Sequence, residues 1–390
     1  MKNNLKLNNF LIQPFSGIFL HSFGLLPNML LSMYYADKTL TYNNLGNIYN
    51  FLWLILFVIT SKIYIKDSQA MLSTHKVISY ICFIGGLIVW GITKNPLWMV
   101  FGLFLIADLL YTGCYDFIQY KFPQYILGIS FIYFCTFALG VLMAHWFMPN
   151  NIVFGIFSFT LFSGLAVTIA CLILTKGELW EYYKKTKIDF VTTMKYWLFS
   201  FKMNLSYFIS RFIYVGWFAL LLKSLTSYDV KESANIILIF NVFYIIRGIF
   251  MELFEIYAKS TLDNDKEVAF DYLRISSMFF IGLATILLFV TCLIYKTLII
   301  ETVLIYIYYI AYCILEYVIL HLQLENNIGN FNIFSIIIQC LMLLILYFVH
   351  EFYFIIGLST LVFIIQIFVV DKIFLTNDYK LKQLFSFKRA

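Results

Sequence analysis

Charge is scarce in this sequence. Asp, Glu, Lys and Arg make up 12% of its 390 residues, against a hydrophobic share of 62% and a mean hydropathy of +0.86. A soluble globular domain could not cover its surface with so few charges, so that class is excluded. Proline is scarce too, with five residues, all in the first half. The seven cysteines (Cys82, Cys114, Cys135, Cys171, Cys292, Cys313 and Cys340) fall within apolar runs at no metal-ligand spacing. They imply neither a zinc site nor a disulfide framework. No nucleotide-binding fingerprint appears, and no paired-carboxylate motif lies on an extramembrane loop, so no catalytic residue, cofactor or metal is expected and the chain is not read as an enzyme. The opening stretch MKNNLKLNNFLIQPF has no small-residue cleavage site and is expected to stay with the mature chain.

What the sequence does contain is a series of apolar runs. A hydrocarbon core of about 30 Å needs roughly 20 apolar residues at a helical rise of about 1.5 Å. Twelve stretches qualify, at approximately 15–36, 45–65, 77–93, 97–115, 124–147, 152–175, 196–222, 233–256, 272–295, 298–321, 331–349 and 352–371. The expected fold is therefore an all-α polytopic membrane protein with about 12 transmembrane helices. With the N-terminus inside, twenty of the 27 Lys and Arg residues fall on cytoplasmic segments and five on outside loops. That bias places both termini in the cytoplasm and accounts for the net charge of +6 without a nucleic-acid partner. The two longest polar connections, GELWEYYKKTKIDFVTTMK and KSTLDNDKEVAFDYLR, both lie inside.

The first of those connections divides the chain into a first six-helix half (1–175), a cytoplasmic connection (176–195), a second six-helix half (196–371) and a basic cytoplasmic tail (372–390). The halves look alike at their starts. Each runs span, short outside loop, span, and the loop tails align as GNIYNF against ANIILIF, with Asn47 opposite Asn235. Six-span halves repeated in parallel point to a transporter with its substrate path between them.

Within the spans, Arg211 stands out. At 100° per residue, Ser200, Asn204, Tyr207 and Tyr214 lie on its face, whereas Phe208, Ile213, Trp217 and Leu220 lie opposite. An arginine at mid-bilayer costs at least about 2.5–3.5 kcal/mol, so it is expected to line a wet cavity or meet a carboxylate, with Asp108 of the fourth span the candidate partner. Arg247 follows Tyr244 by three residues in the inner third of its span, and is read either as cavity lining or as a snorkelling anchor. Glu316 continues a face with Tyr309 and Tyr312 and is a cavity candidate, while His321 and Glu325 are expected to be wet. Asp108, Glu316 and His21 are the candidates for proton or cation coupling. Pro27 is expected to bend the first span.

Twelve spans in two halves, inside termini, compact loops and charges within the bundle resemble the multidrug/oligosaccharidyl-lipid/polysaccharide exporter superfamily. Length and aromatic content are most similar to its Wzx-type O-antigen and polysaccharide flippases. The resemblance is strongest over 15–66 and 199–295, where SRFIYVGWFALLL, a short loop and ANIILIFNVFYIIRGIFMELFEIYAKST precede DYLRISSMFF. It implies an alternating-access carrier of the bacterial inner membrane with a cationic cavity for an undecaprenyl-diphosphate-linked oligosaccharide, working beside polysaccharide-assembly proteins. Arg211 and Arg247 fit that cavity. The alternatives are a drug, siderophore or peptide exporter of the same fold and, less well supported, an O-antigen polymerase, which would need a long outside loop. A major-facilitator carrier would show a Gly-x-x-x-Asp-Arg type loop where this chain reads SKIYIKDSQAMLSTHK.

Overall fold

The computed structural model describes residues 7–60, 68–121, 125–185, 190–263, 266–324 and 328–374. Among them every regular element is helical. The α-helices are α1 (Leu7–Ile12), α2 (Ser16–Tyr34), α3 (Ala36–Thr60), α4 (Ser68–Thr93), α5 (Leu97–Lys121), α6 (Ile126–Phe147) and α7 (Ile152–Leu174). They continue with α8 (Glu178–Lys185), α9 (Phe190–Ser224), α10 (Val230–Asp263), α11 (Lys266–Ile294), α12 (Ile299–Leu324), α13 (Ile328–Phe348) and α14 (Phe352–Val369). The described part of each of the twelve apolar runs falls mainly on a helix of its own.

Six stretches of the described residues are long and apolar enough to cross a membrane: Ile126–Phe147, Pro149–Leu174, Val230–Phe254, Glu267–Ile294, Lys296–Leu322 and Phe352–Ile373. Phe10–Phe19 and Gly24–Tyr34 together make a seventh, bent by 47°. The bend falls just before Pro27, whose ring crowds the carbonyl four residues earlier and removes one helical hydrogen bond. On α11, Ile286, Phe289 and Leu293 are 61%, 66% and 69% exposed. Large side chains left open along one face of an apolar helix suit contact with lipid rather than water.

Both of the long polar connections are more helical than the sequence reading anticipates. Within 176–195, α8 forms after a left-handed turn at Lys176 (φ 50°) and Gly177 (φ 83°), and α9 has already begun at Phe190. In the second connection, α10 continues to Asp263 and α11 starts at Lys266. Polar residues sustain a helix beyond the hydrocarbon because water and neighbouring charges serve their side chains there. Lys185 and Glu181 pair at 3.7 Å, and Arg274 and Asp271 at 3.0 Å. Such pairs contribute only tenths of a kcal/mol each, so they extend helices that the apolar segments have already nucleated.

The chain groups into two compact units, Met1–Leu40 with Gly216–Ala390, and Thr41–Val215. In the second, glycines allow helices to approach closely. Gly86 of α4 faces Gly102 of α5, Gly140 of α6 faces the Phe159 backbone of α7, and Gly164 of α7 faces Ala107 of α5. Tyr42, Tyr49, Phe101, Phe104 and Phe157 interlock beside these crossings. Asn47 of α3, 8% exposed, donates through Nδ2 to the Val215 carbonyl of α9 at 3.1 Å.

In the first unit the closest crossing joins α2 to α10. Gly17 lies against Gly248, and seven residues along each helix Gly24 lies against Asn241. The order 17 to 248 and 24 to 241 makes the pair antiparallel, with small residues recurring every two turns on the shared seam. A methyl group at Gly17 would fall 2.5 Å from the Gly248 carbonyl oxygen, too close to be tolerated without moving a helix. Gly17→Ala is therefore expected to destabilise the protein by about 1–3 kcal/mol, as overpacking of a tight contact does. Gly282→Ala, where an added methyl meets nothing within 4 Å, leaves stability unchanged or slightly raised. Thermal unfolding of the two purified variants in detergent checks this contrast.

Candidate functional site

Within the first unit, the described charge that is most enclosed by aromatic rings is Arg247. It is 6% exposed on α10. Its guanidinium carbon lies 5.2 Å from the Tyr244 ring centre and 5.0 Å from that of Tyr312 on α12. Nη1 donates to the Tyr244 hydroxyl at 3.0 Å. The cation thus meets two negative ring faces and a hydroxyl acceptor, which together offset part of its desolvation. Helical spacing explains the first ring, since Tyr244 precedes Arg247 by three residues on the same face. The second comes from the packing of α10 on α12.

Tyr312 is the end of a stacked column. Tyr308, one turn earlier on α12, lies 6.5 Å from Tyr312 and 8° from parallel, and Trp217 of α9 stacks on Tyr308 at 5.1 Å and 5°. Phe240 and Phe363 pack against the flanks of the column. The one polar atom of the indole is served in place, because Trp217 Nε1 donates to Ser359 Oγ on α14 at 2.7 Å. That hydroxyl donates to the Ile355 carbonyl at 2.6 Å. Glu316, half-buried one turn beyond Tyr312, acts electrostatically on the Cys313 thiol, as does Arg247. Cation and tyrosine column therefore share the region where α10 meets α12.

A second polar group lies at the Ile299 end of α12. Glu301, 6% exposed, accepts a hydrogen bond from the Tyr353 hydroxyl. Tyr353 also bonds to Tyr228, whose own pKa is raised by burial first and then by the Glu301 and Glu232 carboxylates, with the Tyr353 bond opposing. Nearby in sequence, Lys223 Nζ and His350 Nε2 lie 3.3 Å apart. These contacts tie the α9–α10 connection to α12 and to the start of α14.

Of the residues that the sequence points to, Arg247 and Glu316 both belong to the first unit, on α10 and α12, and Tyr214 is half-buried on the part of α9 that belongs to the second. The side chains of Arg211, Asn204, Tyr207, Asp108 and His21 lie outside the described residues. Arg247 is buried within the protein, with its guanidinium against the rings of Tyr244 and Tyr312. His321 is not wet: it is 0% exposed, with Tyr317 at 4.5 Å, Tyr257 at 5.4 Å and Phe270 at 6.2 Å between ring centres. The long polar ends of α10 and α11 bring protein, rather than water, over that end of α12. Its face was readable all the same, since His321 continues the stripe of Cys313 and Tyr317 at four-residue spacing. Trp217, assigned by its wheel position to a greasy face, is 3% exposed and packs inward on Tyr308.

Among the described residues no group of three or more His, Cys, Asp or Glu side chains could hold a metal ion. No protein-family model, no curated protein and no solved structure matches the chain.

The aromatic cage makes a specific demand. Arg247→Lys keeps the charge but loses the planar stacking surface, and is expected to lower stability by about 0.5–2 kcal/mol. Tyr312→Leu removes a ring face and should cost more than Tyr312→Phe, which keeps it. Unfolding midpoints of the three variants rank them.

Proposed function

We propose that this chain is a carrier of the bacterial inner membrane, crossing it twelve times with both termini in the cytoplasm, and that it moves an amphipathic anionic cargo by alternating access of two six-helix halves. The cargo class that fits best is an undecaprenyl-diphosphate-linked oligosaccharide, the repeat unit of an O-antigen or capsule. The observation that carries the reading is the buried Arg247 guanidinium, braced by Tyr244 and Tyr312. A cation held at such expense within apolar helices is characteristically functional, lining a substrate or ion path. A guanidinium also presents parallel N–H donors in the geometry of a phosphate, which an ammonium does not.

Further support comes from the twelve apolar runs, the described part of each falling mainly on a helix of its own, and from the concentration of Lys and Arg on alternate connections. Tyrosine suits the glycan portion, because sugar rings stack on aromatic faces and exchange hydrogen bonds with hydroxyls. Arg211 is proposed as the second cationic contact, on the strength of its polar stripe with Asn204, Tyr207 and Tyr214. Glu316, Asp108 and His21 remain the candidates for coupling to a proton or cation. The short outside loops weigh against a polymerase. A small-molecule exporter of the same architecture is the second reading, because a cation among aromatic rings would also accept an anionic drug or siderophore.

Phenotypes separate the two. In a host that depends on this carrier, Arg247→Ala and Arg211→Ala should leave folded protein in the membrane, abolish surface polysaccharide and cause lipid-linked repeat units to accumulate at the cytoplasmic face. The lysine variants should rescue only partly. Normal surface polysaccharide alongside altered export of small anions would instead support the exporter. Loss of the protein itself in the alanine variants, measured by immunoblot, would assign the arginines to folding.

A further inference from the structure

A cavity of about 20 Å³ lies where α10, α11 and α12 meet. Phe250, Phe254, Ile314 and Tyr317 are among its walls, and Ser277 and Cys313 bring a hydroxyl and a thiol to it. Ser277 is 2% exposed, and among the described residues its Oγ has no hydrogen-bond partner. Its neighbour Ser276 is likewise buried without a hydrogen-bond partner among the described residues, but only Ser277 of the two lines the cavity. The buried hydroxyls of Ser130, Thr160, Thr302 and Thr360 each donate to the carbonyl four residues earlier, at 2.6 to 2.9 Å. On α11 itself, Thr285 does the same toward Ile281 at 2.9 Å. The backbone bond is thus open to a helical hydroxyl here, and Ser277 faces the cavity without making it.

A buried hydroxyl with no partner is strongly disfavoured, so a partner is expected in the space it faces. Size decides which. A water needs roughly 10–15 Å³ of such space, so this cavity accepts one and is too small for two, for a hydrated ion or for an organic ligand. We propose that the cavity is a binding site for a single ordered water, held by Ser277 Oγ of α11 and the Cys313 thiol of α12. The serine hydroxyl can both donate and accept, while the thiol is a weaker second partner, which meets the minimum an internal water requires. The water ties α11 to α12 through an exchangeable link in place of a direct side-chain bond. It sits one turn along α12 from Glu316. The proposal does not depend on which cargo the protein carries.

Radiolytic footprinting reads this directly. When full-length protein in lipid nanodiscs is irradiated with X-rays, a bound water yields hydroxyl radicals that oxidise the side chains around it, however well they are buried. Mass spectrometry should find Cys313 and Tyr317 oxidised well above Phe243, which is 0% exposed and does not line the cavity. Ser277→Ala should lower oxidation of both at least threefold and leave that of exposed Trp146 unchanged. Background-level oxidation of Cys313 and Tyr317 in the wild type, or equal oxidation in the variant, overturns the site. If Ser277→Ala does not fold, Ile314→Phe fills the cavity from the α12 side and must produce the same loss, with unchanged oxidation again overturning it. The unfolding midpoint supplies an independent sign. Removing a hydroxyl that holds a water lowers the midpoint, whereas removing an orphan raises it, and a rise contradicts the proposal.

Discussion

Hydrocarbon offers no hydrogen bonds, and that single condition governs this protein. A backbone inside a bilayer must satisfy its own N–H and C=O groups, and the helix is the way one segment alone can do so. The same demand reaches the side chains. Thr136, Ser158, Thr168 and Thr291 return their hydroxyls to carbonyls of their own helices, at 2.7 to 2.9 Å. Once the polar groups are closed off in this way, apolar burial no longer drives one helix against another, since lipid is as greasy as a neighbouring helix. Close packing must supply the attraction. The glycine seams follow from this: Gly17 on Gly248, Gly86 on Gly102 and Gly164 on Ala107 let backbones approach until dispersion contacts accumulate.

Against that background a buried arginine needs explanation. Tyr244 and Tyr312 supply two ring faces and one hydroxyl, worth together on the order of 1–3 kcal/mol, comparable to the lower estimates for holding an arginine at mid-bilayer. The tyrosines are themselves fixed by the column that continues through Tyr308 to Trp217 and its bond to Ser359. Four helices, α9, α10, α12 and α14, therefore contribute to the position of one guanidinium. A device of that extent fits a group that must stay charged and oriented while an anion arrives, which is the role proposed for it.

The sequence made some of this legible and concealed the rest for physical reasons. Apolar runs of bilayer length located the helices, because span length is set by the membrane. Helix ends were less visible: α8 and the polar extensions of α10 and α11 rest on propensity and on side-chain pairs three or four residues apart, weaker signals than hydropathy. One side of the Arg247 cage, Tyr244, was readable at three-residue spacing, while Tyr312 as its other wall depended on which helices meet. Tyr309, Tyr312 and Glu316 were picked out on α12, yet Tyr308 proved to be the member that carries the stack onto Trp217. The glycine seams had no sequence signature of their own, since a glycine matters only opposite another backbone. The burial of His321 is not visible along its own span, because its cover comes from Tyr257 and Phe270 of neighbouring helices.

The claim on which the rest stands is that the chain crosses the membrane twelve times and returns to the cytoplasm at both ends. Single cysteines introduced at Thr186 and Ser224, in a background whose native cysteines are replaced, test it with a membrane-impermeant thiol reagent applied to intact cells. The two positions bracket α9, so the proposed topology puts one crossing between them. The account predicts labelling at Ser224→Cys, and at Thr186→Cys only after the membrane is opened. Labelling of Thr186→Cys in sealed cells would contradict it.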